Sequence, residues 1–127
     1  NFGFVFQRLH LIGHLTAAQN IALAQLKKDS GRIQSLIRDL GLEGKENRNA
    51  RDLSVGEAQR VALARAVANN PSVIFADEPT SALDDKNADI AMDMLFSQAQ
   101  KTGATLIVAT HDERIKPRFS NVMDMPA

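Results

Sequence analysis

With 127 residues, 44% of them hydrophobic and 24% charged, the chain has the makeup of one core-forming globular domain, which argues against two independent ones. It contains no cysteine, so a disulfide framework, a thiolate metal site and a cysteine nucleophile are excluded, in keeping with a reducing compartment. Fifteen Lys/Arg balance fifteen Asp/Glu, so net charge gives no reason to expect nucleic acid or an anionic membrane surface as a partner.

The chain opens inside an apolar, aromatic run, Phe2 to Phe6, too short for a helix. It reads as a buried strand ending at Gln7, and an opening of this kind suits a piece of a longer protein. Gln7 then stands at a strand's carboxyl end, the edge where open α/β sheets bind ligands. Thr16 to Gln19 has the spacing of a capping box and predicts a helix running to about Lys28. Ser30 can cap a second helix, whose Ile33, Leu36, Ile37 and Leu40 fall on one face, with Gly41 as its stop. Gly41 to Asp52 is polar, lacks a period and reads as loop.

Ser54 to Glu57 is a second capping box, leading into a helix with Ala58, Val61, Ala62, Leu63, Ala66 and Val67 available for burial. After Asn69-Asn70-Pro71 comes an apolar strand, Val73 to Ala76, of the kind buried on both faces in parallel sheets. Asp84 or Asp85 starts the next helix, with Lys101 in its last turn and Gly103 just beyond. Thr105 to Ala109 is another strand, followed by Thr110-His111-Asp112, and a weak final strand is expected over Asn121 to Met125. Strands alternating with helices indicate an α/β parallel sheet, with a helical layer inserted between the first strand and the second. The expected division is an α/β core of residues 1–7 and 71–127 and a helical subdomain of residues 8–70. No apolar run approaches the ~18 residues of a membrane span, and a signal peptide's basic start and apolar run are lacking.

The chemistry concentrates where an apolar strand ends in Asp77-Glu78. From Asp77 to Asp93 there are six acids and only Lys86 as a base, which favours a cation. The plain reading of Asp77-Glu78 is a capping acid and its solvated neighbour. The functional reading is a hard-cation site, with Asp77 holding Mg²⁺ directly or through water and Glu78 polarising a water for attack on a phosphate. The start of the Ser54 helix carries about half a positive charge on free N–H groups and can serve as an anion site that Gly56 lets a backbone approach. Taken alone, the same stretch is also an ordinary capped helix. His10 and His14 lack spaced partners and read as loop histidines. Met92 and Met94 read as packing.

Four patterns in one order carry a family resemblance. Phe6-Gln7 resembles the Q-loop, Leu53 to Arg60 the signature motif, Val73 to Asp84 the Walker B motif and D-loop, and Thr110 to Asp112 the switch histidine segment of the nucleotide-binding domains of ABC-type ATPases. The resemblance spans essentially the whole chain and implies a P-loop NTPase core, here incomplete, with ATP and Mg²⁺ as cofactors. It implies that Gln7 touches the metal or the attacking water and senses the membrane partner, that Asp77 serves Mg²⁺, and that Glu78 is the general base. His111 would contact the γ-phosphate, and Asp84 would communicate across a dimer. Ser54 and Gly56, with Glu57 beside them, would meet a nucleotide bound mainly by the opposite subunit of a head-to-tail dimer. The implied partners are transmembrane permease subunits and a second nucleotide-binding subunit, on the cytoplasmic face of the inner or plasma membrane and without nucleic acid.

Gly3 to Gln7, His14 to Ile21 and Ala76 to Thr80 look most like the lipoprotein-release and macrolide-export type. An ABC-superfamily ATPase of DNA maintenance is the alternative within the fold, though it would carry a long coiled coil between Gln7 and Ser54. A non-catalytic interaction module is another.

Two departures stand out. Val55-Gly56-Glu57 replaces the family's Gly-Gly-Gln and places a carboxylate near an expected phosphate, unless Glu57 turns back into its capping box. No G-x-x-x-x-G-K-[ST] occurs, because Gly44-Lys45 has Asp39 and Glu46 at the positions that require Gly and Ser or Thr. The 127 residues alone are therefore expected to be inactive, with an unpaired apolar sheet edge beside Thr105 to Ala109 where the P-loop strand would lie.

Overall fold

A computed structural model describes residues 1–123. Three parallel strands, β1 (Phe2–Val5), β2 (Val73–Asp77) and β3 (Thr105–Ala109), form a sheet in the order β1-β2-β3. Between β1 and β2 lie the helices α1 (Ala17–Ala24), α2 (Ser30–Asp39) and α3 (Val55–Val67), and α4 (Asp85–Thr102) connects β2 to β3. Short 3-10 turns occupy Ala50–Asp52 and Lys116–Arg118.

The register aligns Gly3 with Ile74 and Ile74 with Leu106, then Val5 with Ala76 and Ala76 with Val108. Because strand side chains alternate, these rows face the helices, and Val5, Ile74 and Ala76 join a single apolar cluster with Ile21, Leu36, Leu63 and Met92. The opposite face carries Phe2, Phe4, Phe75 and Ile107. Its Phe2 is 60% exposed and Phe4 and Ile107 are each 45% exposed. β1 and β2 are thus not buried on both faces as their sequence suggests, since the described helices cover one side only. The rings cover one another instead: Phe4 stacks on Phe75 with centroids 5.4 Å apart, and Phe2 meets Phe75 edge-on at 5.8 Å.

Helix boundaries follow local chemistry with two exceptions. The Thr16–Gln19 and Ser54–Glu57 capping boxes both form, and α4 ends on Gly103 in a left-handed conformation at φ 71°. α1, however, ends at Ala24 rather than near Lys28. Asn69, from beyond α3, donates to the Ala24 carbonyl and accepts from the Leu26 N–H, supplying partners that a continuing helix would have supplied. Buried Gln25 then bonds both backbone groups of Asp29 and closes the loop. Asp29, not Ser30, caps α2, because its carboxylate reaches the Arg32 N–H at 3.0 Å. The polar loop after Gly41 is held by the Ala50–Asp52 turn and by a bridge between Thr16 and Asn49.

Of the expected final strand, residues 121–123 are not strand and the remainder lies outside the described residues. Among the described residues β3 pairs with β2 alone, which leaves its other edge open.

Close packing of β1 against α3 sets the spacing between sheet and helical layer. A Cβ on Gly3 would lie 2.2 Å from the Ala66 carbonyl oxygen, on backbone that cannot rotate away. Gly3→Ala is expected to lower the free energy of unfolding by about 1–3 kcal/mol in urea titrations. Gly13→Ala, which meets only the Arg51 Cβ at 3.4 Å, should cost less.

Candidate functional site

Parallel pairing brings the carboxyl ends of all three strands to one edge of the sheet. Val5 aligns with Ala76 and Asp77 with Ala109, so Gln7, Asp77-Glu78 and Thr110-His111 follow their strands at that edge. Gln7, Asp77 and His111 are exposed, and Glu78 is half-buried. An open cleft of about 680 Å³ runs from this edge along the free side of β3 and is lined by Asp77, Glu78, Thr110, His111 and Lys116.

Glu78 has a left-handed backbone, φ 49°, which a non-glycine residue holds only against strain. Three hydrogen bonds tie it to the end of β3 and the loop beyond. Its N–H donates to the Ala109 carbonyl at 2.7 Å, and its carboxylate accepts from the Thr110 hydroxyl and the His111 N–H, both at 3.0 Å. The carboxylate is thereby aimed at the loop that carries His111.

Two residues that sequence reasoning did not single out complete this loop. Thr80 is fully buried, and its hydroxyl donates to Asp112 at 2.6 Å. The Arg114 guanidinium donates to both Asp112 oxygens at 2.9 and 2.7 Å, to Asp85 at 2.9 Å and to the Thr80 carbonyl at 3.1 Å. Arg114 first, and then Thr80, holds the Asp112 carboxyl well below the usual carboxylate range. Thr80 and Asp112 are 32 residues apart, so no local period could have joined them.

A separate group of candidates lies where α3 and α4 begin. Ser54 accepts from the Glu57 N–H at 3.1 Å, and Glu57 accepts from the Ser54 N–H at 2.9 Å. The second Glu57 oxygen lies 3.4 Å from the Lys45 ammonium. The Ser54 bond and, after it, Lys45 lower the Glu57 pKa against an opposing effect of burial. Val55 is 58% exposed beside them. A Cβ on Gly56 would meet only the Asn87 side chain at 3.7 Å, an ordinary contact, so packing within this chain does not require glycine there. Asp84 caps α4 by accepting from the Asn87 N–H at 2.8 Å. Gln59 of α3 donates to the Pro79 carbonyl, tying α3 to the turn after β2.

Among the described residues no three His, Asp or Glu side chains cluster closely enough to hold a metal. A single exposed carboxylate such as Asp77 suits an ion that brings further oxygen ligands with its substrate, as Mg²⁺ does with phosphates. Neither His10 nor His14 lines the cleft. His10 packs edge-on against the Phe6 ring at 5.6 Å.

Residues 1–81 match the family model described as "ABC transporter". The chain is 40% identical over 130 residues to the macrolide export ATP-binding/permease protein MacB of Mannheimia succiniciproducens, an alignment covering 98% of this chain and 20% of that protein. It therefore spans about one fifth of the length of the curated relatives it matches. Among solved structures it resembles the dimeric bacterial ABC transporter cassette MJ0796, with a TM-score of 0.76 and 37% identity, over 92% of this chain and 55% of that one. A post-hydrolysis dimer of MJ0796 bound to ADP and Pi matches with a TM-score of 0.71 and 40% identity, over 87% and 52%.

The low pKa of Asp112 carries a pH signature. A carboxylate depressed on folding contributes stability that is fully present above its unfolded pKa, about 3.9, and lost as pH falls towards the folded value. Asp112→Asn is therefore expected to melt below the unaltered protein by a constant interval above about pH 5, an interval that narrows between about pH 4 and 2. Thermal melts across that range measure it.

Proposed function

Since the chain belongs to the ABC transporter family, we propose that it forms part of the ATP-binding and ATP-hydrolysing unit of an export-type membrane transporter. The observation that carries this reading is the hold of Glu78 on the His111 loop at the sheet edge that also presents Asp77.

In this reading Asp77 serves Mg²⁺, which when bound offsets charge on the phosphate oxygens. Glu78 takes the proton of the attacking water. Both of its oxygens are occupied by Thr110 and His111 here, so it acts as a base once the switch segment moves and releases at least one of them. His111, exposed at the cleft, would meet the γ-phosphate, and Gln7, just past β1, would touch the metal or the attacking water and sense the membrane partner. Mg²⁺ and ATP are the cofactors of this reading.

Ser54 and Gly56 serve a second nucleotide-binding subunit, head to tail, with Asp84 communicating across the contact. The freedom around Gly56 supports this, because it leaves room for a surface from outside the chain to approach the backbone there. Glu57 is turned back into its capping box and paired with Lys45, so its charge is directed away from an incoming phosphate. Its effect on phosphate contact is correspondingly small. Residues 1–7 and 71–127 act as the nucleotide-binding core, and residues 8–70 as the helical subdomain.

The transported substrate is chosen by permease partners, and the relative's designation as an ATP-binding/permease protein supports their presence. Among the described residues no helix is long and apolar enough to cross a membrane, which suits a part that attaches through such partners at the cytoplasmic face. α1 and α2, of 8 and 10 residues, form no long coiled coil between Gln7 and Ser54, which counts against the DNA-maintenance alternative.

The 127 residues alone do not turn over ATP in this reading. Gly44-Lys45 forms no phosphate cradle, because Lys45 is committed to Glu57 and the Gly44 N–H to Glu46. One turnover assay across three preparations tests the proposal. The full-length protein should hydrolyse Mg-ATP, its Glu78→Gln variant should lose about 10²- to 10⁴-fold in kcat while still binding nucleotide, and the 127 residues should show neither turnover nor tight binding. Hydrolysis undiminished in Glu78→Gln refutes the assignment of the base. Separately, Glu57→Gln in the full-length protein should preserve or raise activity, and a large loss would contradict the role given to its capping box.

A further inference from the structure

The loop that carries His111 and the start of α4 are distant in sequence, yet one side chain is bonded to both. The Arg114 guanidinium bonds Asp112 on its own loop, the Thr80 carbonyl in the turn after β2, and Asp85, the first residue of α4. Asp85 adjoins Asp84, the residue read above as facing the partner subunit.

We infer that Arg114 is a positioning residue that fastens the His111 segment to the Asp84 end of α4, so that the residue facing this subunit's phosphate and the residue facing the partner's site move as one body. The inference rests on the transporter reading for the roles of His111 and Asp84, but the fastening itself rests only on the contacts.

The chemistry calls for arginine. Three acceptor groups in different directions are met by a planar fork, whereas a lysine ammonium offers one point charge and cannot span them. Asp112, whose side chain is only 9% exposed, needs a cation and donors to remain ionised, and Arg114 and Thr80 supply them. The bond to Asp85 is different. That carboxylate is 90% exposed, so the pair adds little to fold stability and acts instead to link two segments. Beside it, the Thr80–Asp112 bond joins the same two segments, while the Thr110–Glu78 and His111–Glu78 bonds are those of which at least one is released in the reading above. Further along the same segment Arg118 bonds Asp89 and Asp93 within α4, so Arg114 is the residue that makes the link at the start of the helix.

Two measurements on the full-length protein test this: hydrogen exchange, and ATP turnover against ATP concentration. Arg114→Ala and Arg114→Lys should speed amide exchange in residues 80–87 and 110–114 together, lower kcat about tenfold with KM changed less than about twofold, and bring the Hill coefficient for ATP towards one. Asp85→Asn, at an exposed position where folding is not at stake, should lower the Hill coefficient without shifting the melting temperature. It decides the matter if the Arg114 variants do not fold.

Faster exchange confined to residues 110–114, or an unchanged kcat and Hill coefficient beside a lowered melting temperature, overturns the inference in favour of a merely structural arginine. Absence of turnover in the unaltered protein would overturn the transporter reading, while the exchange data would still decide whether Arg114 fastens the two segments.

Discussion

Parallel pairing is the constraint on which the rest of this structure depends. Each of the three strands must be re-entered from the same end, so every connection returns along the sheet and every strand's carboxyl end emerges at one edge. The Val5–Ala76–Val108 row fixes how far each strand has advanced when it leaves. Residues as far apart as Gln7, Asp77 and His111 come to one edge of the sheet by register alone, and Asp77 and His111 line one cleft there. α3 seats against β1 at Gly3, where only hydrogen fits beside Ala66 in the last turn of the helix.

Much of this was legible because the deciding interactions were local. The Thr16–Gln19 and Ser54–Glu57 boxes, the apolar face of α2 and the Gly103 stop each depend on residues within about one helical turn, and each formed where the spacing placed it. What escaped was decided across the chain. Asn69 ends α1 early from 45 residues away, and the exposure of Phe2 and Phe4 depends on which helices are there to cover them. At the site, Asp77, Glu78 and His111 stand out as polar residues that end apolar strands. Thr80 and Arg114 look like any loop threonine and surface arginine until folding brings Asp112 between them.

The two groups of candidate residues differ in how they are held. At the sheet edge, Glu78 sits in a strained conformation maintained by bonds to a loop distant in sequence. At the helix starts, Ser54, Glu57 and Asp84 are fixed by capping bonds within their own segments, and their geometry changes little unless the helices themselves shift. One group is held across the sheet edge by a different loop, and the other is held by its own helix starts. Glu57 illustrates the second kind: a carboxylate that looks misplaced in the linear motif is neutralised by its own helix start and by Lys45.

The open aromatic face has a calorimetric meaning. Phe2, Phe4 and Ile107 already meet water in the folded chain, so unfolding exposes less new apolar area at these positions than at the covered rows beneath them. Heat capacity rises on unfolding mainly through newly hydrated apolar surface, typically by about 12–15 cal/mol/K per residue. The open face therefore contributes less to that rise than the covered rows do. Any segment that came to lie over the sheet would steepen the stability curve, so the temperature dependence of stability reports whether that face is covered.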